Sequence, residues 1–484
     1  MKFIVKLFPE IMMKSKPVRT RFTKMLETNI RNVLKKVDES AKVKREWDKI
    51  MVLVPEERED LIEPFAERLA CIPGIAHVLQ VSESQFESID DIYQQTLAVY
   101  KEQLAGKTFC VRVKRVGNHD FQSIEVERYV GGGLNQFTEA TGVKLKNPDI
   151  TINLEIDKES LYLVNKRIAG LGGYPMATQE SVLSLISGGF DSGVSSYQFI
   201  KRGSRTHYCF FNLGGDQHEI GVKQVAYHLW QKYGESHNVK FISVPFDPVV
   251  TEILEKIDNG QMGVVLKRMM MRAAAKIANK MGIQALVTGE AMGQVSSQTL
   301  TNLNVIDRCT DQLILRPLIA MDKQDIINIS RRIGTEDLSK TIPEYCGVIS
   351  QRPTVKAVLS KIETEELKFS EDLIERVVDA AVMIDIKEIA TSTETIITAV
   401  ETITDIHSNE IVIDIRAPEE EEKSPLEITG VEIKSIPFFK LATMFADLDK
   451  AYTYLLYCDR GVMSKLQALY LQEQGYENVK VYRP

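Results

Sequence analysis

Val182-Leu183-Ser184-Leu185-Ile186-Ser187-Gly188-Gly189-Phe190-Asp191-Ser192 joins an apolar run to a glycine turn and a polar helix start. The partly β-branched run Val182–Ile186 predicts a buried strand. Gly193 to Arg202, closed by Gly203, predicts a helix. Two glycines between a strand and a helix let the backbone approach an anion closely. The loop N–H groups and the positive end of the helix dipole then face that anion. Ser187 and Ser192 add hydroxyl donors, and Asp191 offers a carboxylate to a magnesium ion. The Walker spacing G-x-x-x-x-G-K-[ST] is absent, so no loop lysine waits for a γ-phosphate. This favours cleavage of ATP to AMP and pyrophosphate. A bare Ser-Gly-Gly also fits an ordinary strand–turn–helix joint.

The full S-G-G-x-D-S resembles the adenylating PP-loop ATPases, which include GMP synthetase, NAD synthetase, argininosuccinate synthetase and the tRNA thiolases. That resemblance implies AMP-forming activation and leaves the substrate open. Around the loop, residues 176–345 alternate strands and helices. Strands are expected at Thr206–Asn212, Lys240–Val244, Ala285–Thr288 and Leu313–Leu315. The expected helix Gly263–Met281 carries Lys267 and Arg268 among apolar neighbours. Such alternation predicts a doubly wound parallel sheet, whose ligands sit at the carboxyl ends of the strands. Gly289-Glu290 and the segment Gln294 to Gln298 become pocket candidates on that ground. Residues 361–405 hold 12 Asp/Glu against 4 Lys/Arg and read as a helix followed by a linker.

A chain of 484 residues exceeds one typical domain. With 44% apolar and 26% charged residues it is ordinary for a soluble globular protein. No apolar run is long enough to span a bilayer, and Met1–Glu10 lacks a signal-peptide core. Six cysteines without a C-x-x-C argue against a disulfide framework, a zinc ribbon or an iron–sulfur site. No resident metal site is expected, and a cytoplasmic location is.

Charge is uneven along the chain. Residues 1–50 carry 14 Lys/Arg against 6 Asp/Glu, a net of +8 within an overall −7. A basic amino-terminal module suggests a polyanion partner held through phosphates, although a solvated helix face fits the same charges. Residues 1–75 read as strand, helix, strand, helix, suiting a ferredoxin-like fold. Strands at His77–Val81, Thr108–Val113 and Asp149–Ile156 follow, with a helix around Ser88–Leu104. Val113 to His119, then a helical segment and then Gly131-Gly132-Gly133, resemble a THUMP module. That resemblance implies RNA binding, with Arg115 and His119 as contact residues. Taken alone, His119 reads as a structural or capping residue and the triple glycine as a turn.

A further module begins at the strand Glu410–Arg416. In it Tyr454–Tyr457 leads into Cys458-Asp459-Arg460-Gly461-Val462-Met463-Ser464 and the expected helix Lys465–Gln474. A cysteine at a strand end facing loop and helix-start N–H groups is favoured as thiolate, and such a cradle suits an anionic persulfide. The phosphatase pattern C-x-x-x-x-x-R needs arginine where Ser464 stands. With Asp414-Ile415-Arg416 upstream, the module resembles a compact rhodanese domain. Cys346, on the turn-like Pro343–Val348, becomes a second thiol candidate. Cys71, Cys110, Cys209 and Cys309 read as structural.

The order of parts resembles the tRNA sulfurtransferase family, which makes 4-thiouridine and is also involved in thiamine biosynthesis, in its long form with a rhodanese tail. The resemblance covers essentially the whole chain. It implies an α/β multidomain fold with four parts: a ferredoxin-like domain (1–75), a THUMP domain (61–170), a PP-loop domain (176–395) and a rhodanese-like domain (404–484). It implies ATP bound by Ser187, Gly188, Gly189, Asp191 and Ser192. Leu185, Ile186, Lys267, Gly289 and Gln298 match the family's ATP-contacting positions. Asp191 and Lys323 would support the phosphoryl chemistry with Mg2+. Cys458 would carry the persulfide, and Cys346 would be its disulfide partner. The implied partners are tRNA, a cysteine desulfurase, a sulfur-carrier protein of thiamine synthesis and an external thiol reductant. A small-molecule PP-loop ligase would need an ammonia source, and no glutaminase module is present. A non-catalytic RNA adaptor would not need the ATP loop and two placed cysteines.

Overall fold

The structure is a computed structural model describing residues 2–484 except 47–48, 56, 214, 341, 343–351, 391–400, 405, 408, 417–420, 422–423, 427, 429–430, 438–440, 442–443, 459–463, 465–466, 469–470, 473 and 484. Of residues 215–217 only the backbone is described. The chain forms two compact units, Met1–Thr178 with Lys201–Gly203, and Gln179–Ile200 with Ser204–Pro484.

The first unit starts with β1 (Lys2–Leu7), α1 (Pro9–Met12), α2 (Lys16–Leu34), β2 (Lys42–Arg45), β3 (Lys49–Leu53), α3 (Ile62–Ala70) and β4 (Ile75–Gln85). Helix α2 buries Phe22, Leu26, Ile30, Val33 and Leu34, a stripe at helical spacing. Most of that stripe joins Phe3, Val5, Ile50 and Val52 in one core. Each such side chain contributes roughly 1.5–3 kcal/mol by leaving water.

α4 (Ile89–Tyr100), β5 (Thr108–Val116), α5 (Ser123–Phe137), β6 (Gly142–Val143), β7 (Ile150–Asp157) and β8 (Ser160–Ala169) follow. Ser88 and Asp91 cap α4 reciprocally, with Asp91 N donating to Ser88 Oγ at 3.1 Å and Ser88 N to Asp91 Oδ2 at 3.1 Å. A second core unites Ile92, Phe109, Val126, Leu134, Ile152 and Leu161. β4 pairs antiparallel with both β1 and β8, so the two cores share one sheet of order β2-β3-β1-β4-β8-β7-β5-β6.

Three features differ from the sequence reading. β2 and β8 were not anticipated: Lys42–Arg45 is a short, mostly exposed edge strand, and Ser160–Ala169 turns polar along its second half. Gly131-Gly132-Gly133 is neither a turn nor a segment after a helix, but lies within α5. A Cβ on Gly133 would come within 2.4 Å of the Tyr93 ring, so the residue lets α5 lie against α4.

The second unit contains β9 (Gln179–Leu185), α6 (Phe190–Lys201), β10 (Ser204–Asn212), α7 (Gly215–Leu229), β11 (Lys240–Pro245), α8 (Asp247–Lys256) and α9 (Met262–Lys280). Next come β12 (Ala285–Val287), α10 (Leu300–Asp307), β13 (Leu313–Leu315), α11 (Lys323–Ile333), α12 (Glu336–Lys340), α13 (Leu359–Glu366), α14 (Leu373–Asp379) and β14 (Val382–Asp385). The sheet order is β13-β12-β9-β10-β11-β14, with β14 alone antiparallel to its neighbour. The chain runs outward from β9 through β10 to β11, then returns to the other side of β9 as β12. The carboxyl ends of β9 and β12 therefore flank a topological switch point, where open α/β sheets form a crevice.

The acidic stretch expected to be helix and linker instead contributes α13, α14 and the edge strand β14. Val382–Asp385 pairs with β11 from Ser243↔Val382 to Lys240↔Asp385. Its four residues, two of them exposed, give no alternating pattern to read. Arg268 of α9 is structural: 1% exposed, it forks onto Glu366 at 2.6 and 3.0 Å and donates to the Val305 carbonyl.

A five-stranded sheet of order β15-β19-β18-β16-β17, parallel throughout, ends the chain. Its strands are β15 (Thr402–Ile403), β16 (Glu410–Asp414), β17 (Ile433–Ser435), β18 (Thr453–Tyr457) and β19 (Val479–Tyr482). Parallel strands covered on both faces read as continuous apolar runs, and Ile411, Val412 and Ile413 show this. The helix expected at 465–474 lies partly outside the described residues. Among the described residues no helix is long and apolar enough to cross a membrane.

Candidate active site

At the switch point the chain leaves β9 through Ile186 to Gly189 and enters α6 at Phe190. Gly188 holds φ +82°, a left-handed conformation that favours glycine. Ser192 Oγ closes the turn: it accepts from Ser187 N at 3.2 Å, lies 3.2 Å from Ser187 Oγ and donates to Gly189 O at 3.1 Å. The turn leaves the first N–H groups of α6 available to an anion.

Next to the turn is a recess of about 140 Å³. Leu185, Ile186, Ser187, Asp191 and Ser192 from the β9–α6 connection line it, with Lys267 of α9, Gly289 after β12, and Gln298. Of the residues predicted from sequence, these eight converge from four separate parts of the chain. Gly188 and Gly189 lie in the loop itself. Gly289 is required there: a Cβ would stand 2.7 Å from Asp191 C and 2.7 Å from Ser192 N. The strand end therefore packs directly on the first turn of α6.

Lys323 begins α11 and reaches the same turn. Its Nζ lies 2.9 Å from both Asp191 oxygens, and Gln294 Nε2 donates to Asp191 Oδ2 at 3.0 Å. Lys323 also lies 5.7 Å from the Phe190 ring centroid. The pairing brings a cation beside the helix start, where a phosphoryl group would need one.

Several lining residues were not singled out from sequence. Phe211 and Leu213 sit at the carboxyl end of β10, and Met270 and Met271 share a face of α9 with Lys267. The i, i+3, i+4 spacing from Lys267 was the signal available for that face. His218 of α7 donates from Nε2 to the Ser187 carbonyl at 3.4 Å, and burial pushes its imidazole toward the neutral form. Glu290, a pocket candidate from its place after β12, does line the recess: it is 3% exposed, and its Oε2 accepts from Arg316 Nε at 2.8 Å and from Thr288 Oγ1 at 3.0 Å.

Cys458 follows β18 directly and is buried. Ser464 N donates to its Sγ at 3.3 Å, and Ser464 Oγ lies 3.4 Å away. Asp414 stands opposite Tyr457 in the neighbouring strand β16 and forms a buried pair with Arg416, Nη2 to Oδ2 at 2.6 Å. Residues 459–463, including Arg460, lie outside the described residues, and so does Cys346. Cys209 is buried, and burial pushes its thiol upward, out of nucleophilic range. Burial likewise raises the partly exposed Cys309 thiol to about 11. Cys110 is buried, and Cys71 lies at the end of α3.

In the first unit, Arg115 and His119 form one arrangement. His119 Nε2 donates to the Lys158 carbonyl at 2.6 Å, which leaves Nδ1 to accept from Arg115 Nη1 at 3.0 Å. His119 also stacks near Phe86 with centroids 6.2 Å apart. Both ring nitrogens are thus engaged in holding the β5 exit against the β7–β8 turn.

Comparison with known proteins places this geometry in a family. The model described as thiamine biosynthesis protein (ThiI) matches residues 177–370, the THUMP domain model 86–164, and the ThiI ferredoxin-like domain model 2–78. Among solved structures, one described as a 4-thiouridine synthetase–RNA complex with bound ATP aligns with TM-score 0.69 and 26% identity. It covers 79% of this chain and 99% of that one. A Pyrococcus horikoshii structure with 20% identity and TM-score 0.54 shares the fold over 69% of this chain and 100% of its own. The tRNA sulfurtransferase of Shewanella woodyi is 88% identical over 484 residues, and that of Shewanella sediminis 87%, each covering 100% of both chains. With three models matched in order and relatives this similar along their whole length, the chain belongs to the tRNA sulfurtransferase family.

Proposed function

We propose that this chain uses ATP to activate uridine 8 of tRNA and replaces its 4-oxygen with sulfur carried on Cys458, giving 4-thiouridine. The observation that carries the proposal is the convergence of Ser187, Asp191, Lys267, Gly289 and Gln298 on one recess, with Lys323 on Asp191. An anion-binding turn without a Walker lysine suits a pyrophosphate leaving group. The apolar walls Leu185, Ile186, Met270 and Met271 suit a base, and the Ser187–Ser192 turn suits the phosphates.

The uridine O4 attacks the α-phosphorus and pyrophosphate leaves. A carbonyl oxygen is a poor leaving group and AMP a good one, so sulfur then displaces AMP at C4. Lys323 would balance the phosphoryl charge as it develops. Asp191, whose carboxylate pairs with Lys323, would hold Mg2+ through a hard carboxylate oxygen. The ion would supply charge neutralisation.

On the sulfur side, a cysteine desulfurase would load Cys458 as a persulfide. The N–H of Ser464 donates to Sγ, and the Asp414–Arg416 pair braces the adjacent strand end. Either the terminal sulfur attacks C4 and expels AMP, after which Cys346 attacks Cys458 Sγ and releases the thiouridine sulfur, or Cys346 attacks Cys458 Sγ first and expels sulfide, which then displaces AMP at C4. Both routes leave a Cys346–Cys458 disulfide, which an external thiol reductant resets. The region around Cys458 (404–484) would be a rhodanese-like domain. The ferredoxin-like (1–75) and THUMP (61–170) regions would hold the tRNA, with Arg115 and His119 in the RNA-binding region. A second role, passing sulfur from Cys458 to a sulfur-carrier protein for the thiazole of thiamine, is favoured by the match to a thiamine biosynthesis family.

One reconstitution tests the whole scheme: the protein with unmodified tRNA, Mg-ATP, cysteine, a cysteine desulfurase and a reductant, followed by mass spectrometry of nucleosides. 4-Thiouridine formed only with both ATP and desulfurase supports the scheme. Persulfidated Cys458 with no thionucleoside would leave a sulfur carrier with a different acceptor.

A further inference from the structure

Two acceptor atoms among the residues lining the recess, Glu290 Oε1 and Gln298 Oε1, are buried without a hydrogen-bond partner among the described residues. Gln298 stands at a position already expected to contact ATP; Glu290 has no such assignment. Its carboxylate cannot swing to find a donor, because Oε2 is pinned by Arg316 and Thr288. Arg316 is in turn held by Asp307, with Nη1 donating to Oδ2 at 3.1 Å. A buried acceptor left unpaired carries an unrecovered desolvation cost, which a ligand donor would remove. Glu290 lines the same recess as the anion loop. Its neighbour Gly289 packs on Asp191 and Ser192, the first turn of the anion loop.

We propose that Glu290 Oε1 accepts the N3 hydrogen of the target uridine and takes its proton as O4 is adenylated. This inference rests on the adenylation reading above and names a group that reading lacks. Adenylation at O4 leaves N3 without hydrogen. The N3–H bond breaks and its electron pair forms the N3=C4 double bond. The C4=O4 π pair becomes the new O4–phosphorus bond. The bond from phosphorus to pyrophosphate breaks, pyrophosphate leaves with that pair, and the proton passes to Glu290. No further reactant is needed. Of the two carboxylates lining the recess, Asp191 has both oxygens engaged by Lys323 and Gln294. Glu290 has one oxygen without a partner among the described residues.

The test is Glu290→Gln in the full-length protein, read by single-turnover thiolation of tRNA and by ATP titration calorimetry. Gln keeps an oxygen for Arg316 and Thr288 but is a far weaker proton acceptor. Thiolation at neutral pH is expected to fall about 10²–10⁴-fold, with ATP affinity unchanged. The lost rate should return as pH rises toward ionisation of N3–H. It should also return with 5-fluorouridine at the target position, whose N3–H is more acidic. If Glu290→Gln fails to fold, Glu290→Asp, which keeps the charge one methylene further back, is read the same way. An unchanged rate, a loss that neither pH nor 5-fluorouridine repairs, or a parallel loss of ATP affinity would each overturn the assignment. Absence of tRNA-dependent pyrophosphate release from the unmodified protein would instead remove the adenylation reading beneath it.

Discussion

Gly289→Ala puts the link between β12 and the anion loop to the test. A Cβ at 289 would lie 2.7 Å from Asp191 C, 2.7 Å from Ser192 N and 2.9 Å from Asp191 O, whereas ordinary contact begins at 3.4 Å. All three atoms are backbone, so no side chain can rotate away. The first turn of α6 must retreat by about 0.7 Å, the difference between 3.4 and 2.7 Å. Overpacking of this kind costs about 1–3 kcal/mol. In a unit larger than about 150–250 residues each kcal/mol lowers Tm by no more than roughly 2–4 °C. Displacement of a reacting group by nearly 1 Å costs on the order of 10²-fold in rate. Thermal unfolding, ATP calorimetry and single-turnover thiolation should therefore all move together. The control is Gly263→Ala in α9, where a Cβ meets nothing within 4 Å. It should leave activity intact and stabilise the helix by roughly 0.5–1 kcal/mol. Wild-type Tm and ATP affinity in Gly289→Ala would refute the argument that this contact sets the loop.

Lys323→Ala separates electrostatics from stability. The partly exposed pair with Asp191 should be worth no more than about 1 kcal/mol to folding, while thiolation should fall about 10²–10³-fold; unfolding curves and rate assays on one preparation decide it. Glu366→Ala strands the buried Arg268 guanidinium and should cost about 3–5 kcal/mol by urea titration, against well under 1 kcal/mol for a surface glutamate. His207 supplies a pH dependence, since burial holds its pKa at about 4, below the ordinary 6.5, and Lys240 N donates to its Nδ1 at 3.0 Å. The unfolded chain takes up the proton first, so this contribution is complete above pH 6.5 and is lost as pH falls toward 4, by at most about 1.4 kcal/mol per pH unit. His207→Gln should flatten that acid limb in urea titrations across the window; an unchanged slope would count against it.

Much of the second unit was legible because its signals are local. Val182–Ile186 is apolar on both faces, as a central parallel strand must be, and the two glycines and Ser192 specify the turn without outside help. The alternation through Leu313–Leu315 follows from the same patterns. What stayed hidden depends on partners distant in sequence. β14 exists because the edge of β11 is open to it, not because Val382–Asp385 favours extension. Gly131–Gly133 looked like a turn because glycine usually marks one. At Gly133 the Tyr93 ring fills the space a side chain would need. In both cases tertiary contact outweighed local propensity.

The site divides along the same line. A loop motif names its own residues, but not which atom lacks a partner once the sheet closes. Glu290 in the sequence is one acidic residue after a strand. Arg316 is 26 positions away from it, and Lys323 stands 132 positions from Asp191. Only the parallel order β9-β12-β13 brings Thr288, Gly289, Glu290 and Arg316 to the edge that the anion loop occupies. That order also distinguishes the two carboxylates. Asp191, in the first turn of α6, is drawn to the cation of Lys323 and so suits charge balance. Glu290, pinned by Arg316 through one oxygen, has its other oxygen without a donor among the described residues, which suits acceptance of a ligand hydrogen. Two acids in one recess would thus take different tasks from the groups that hold them, and the same fold fixes both sets of holders.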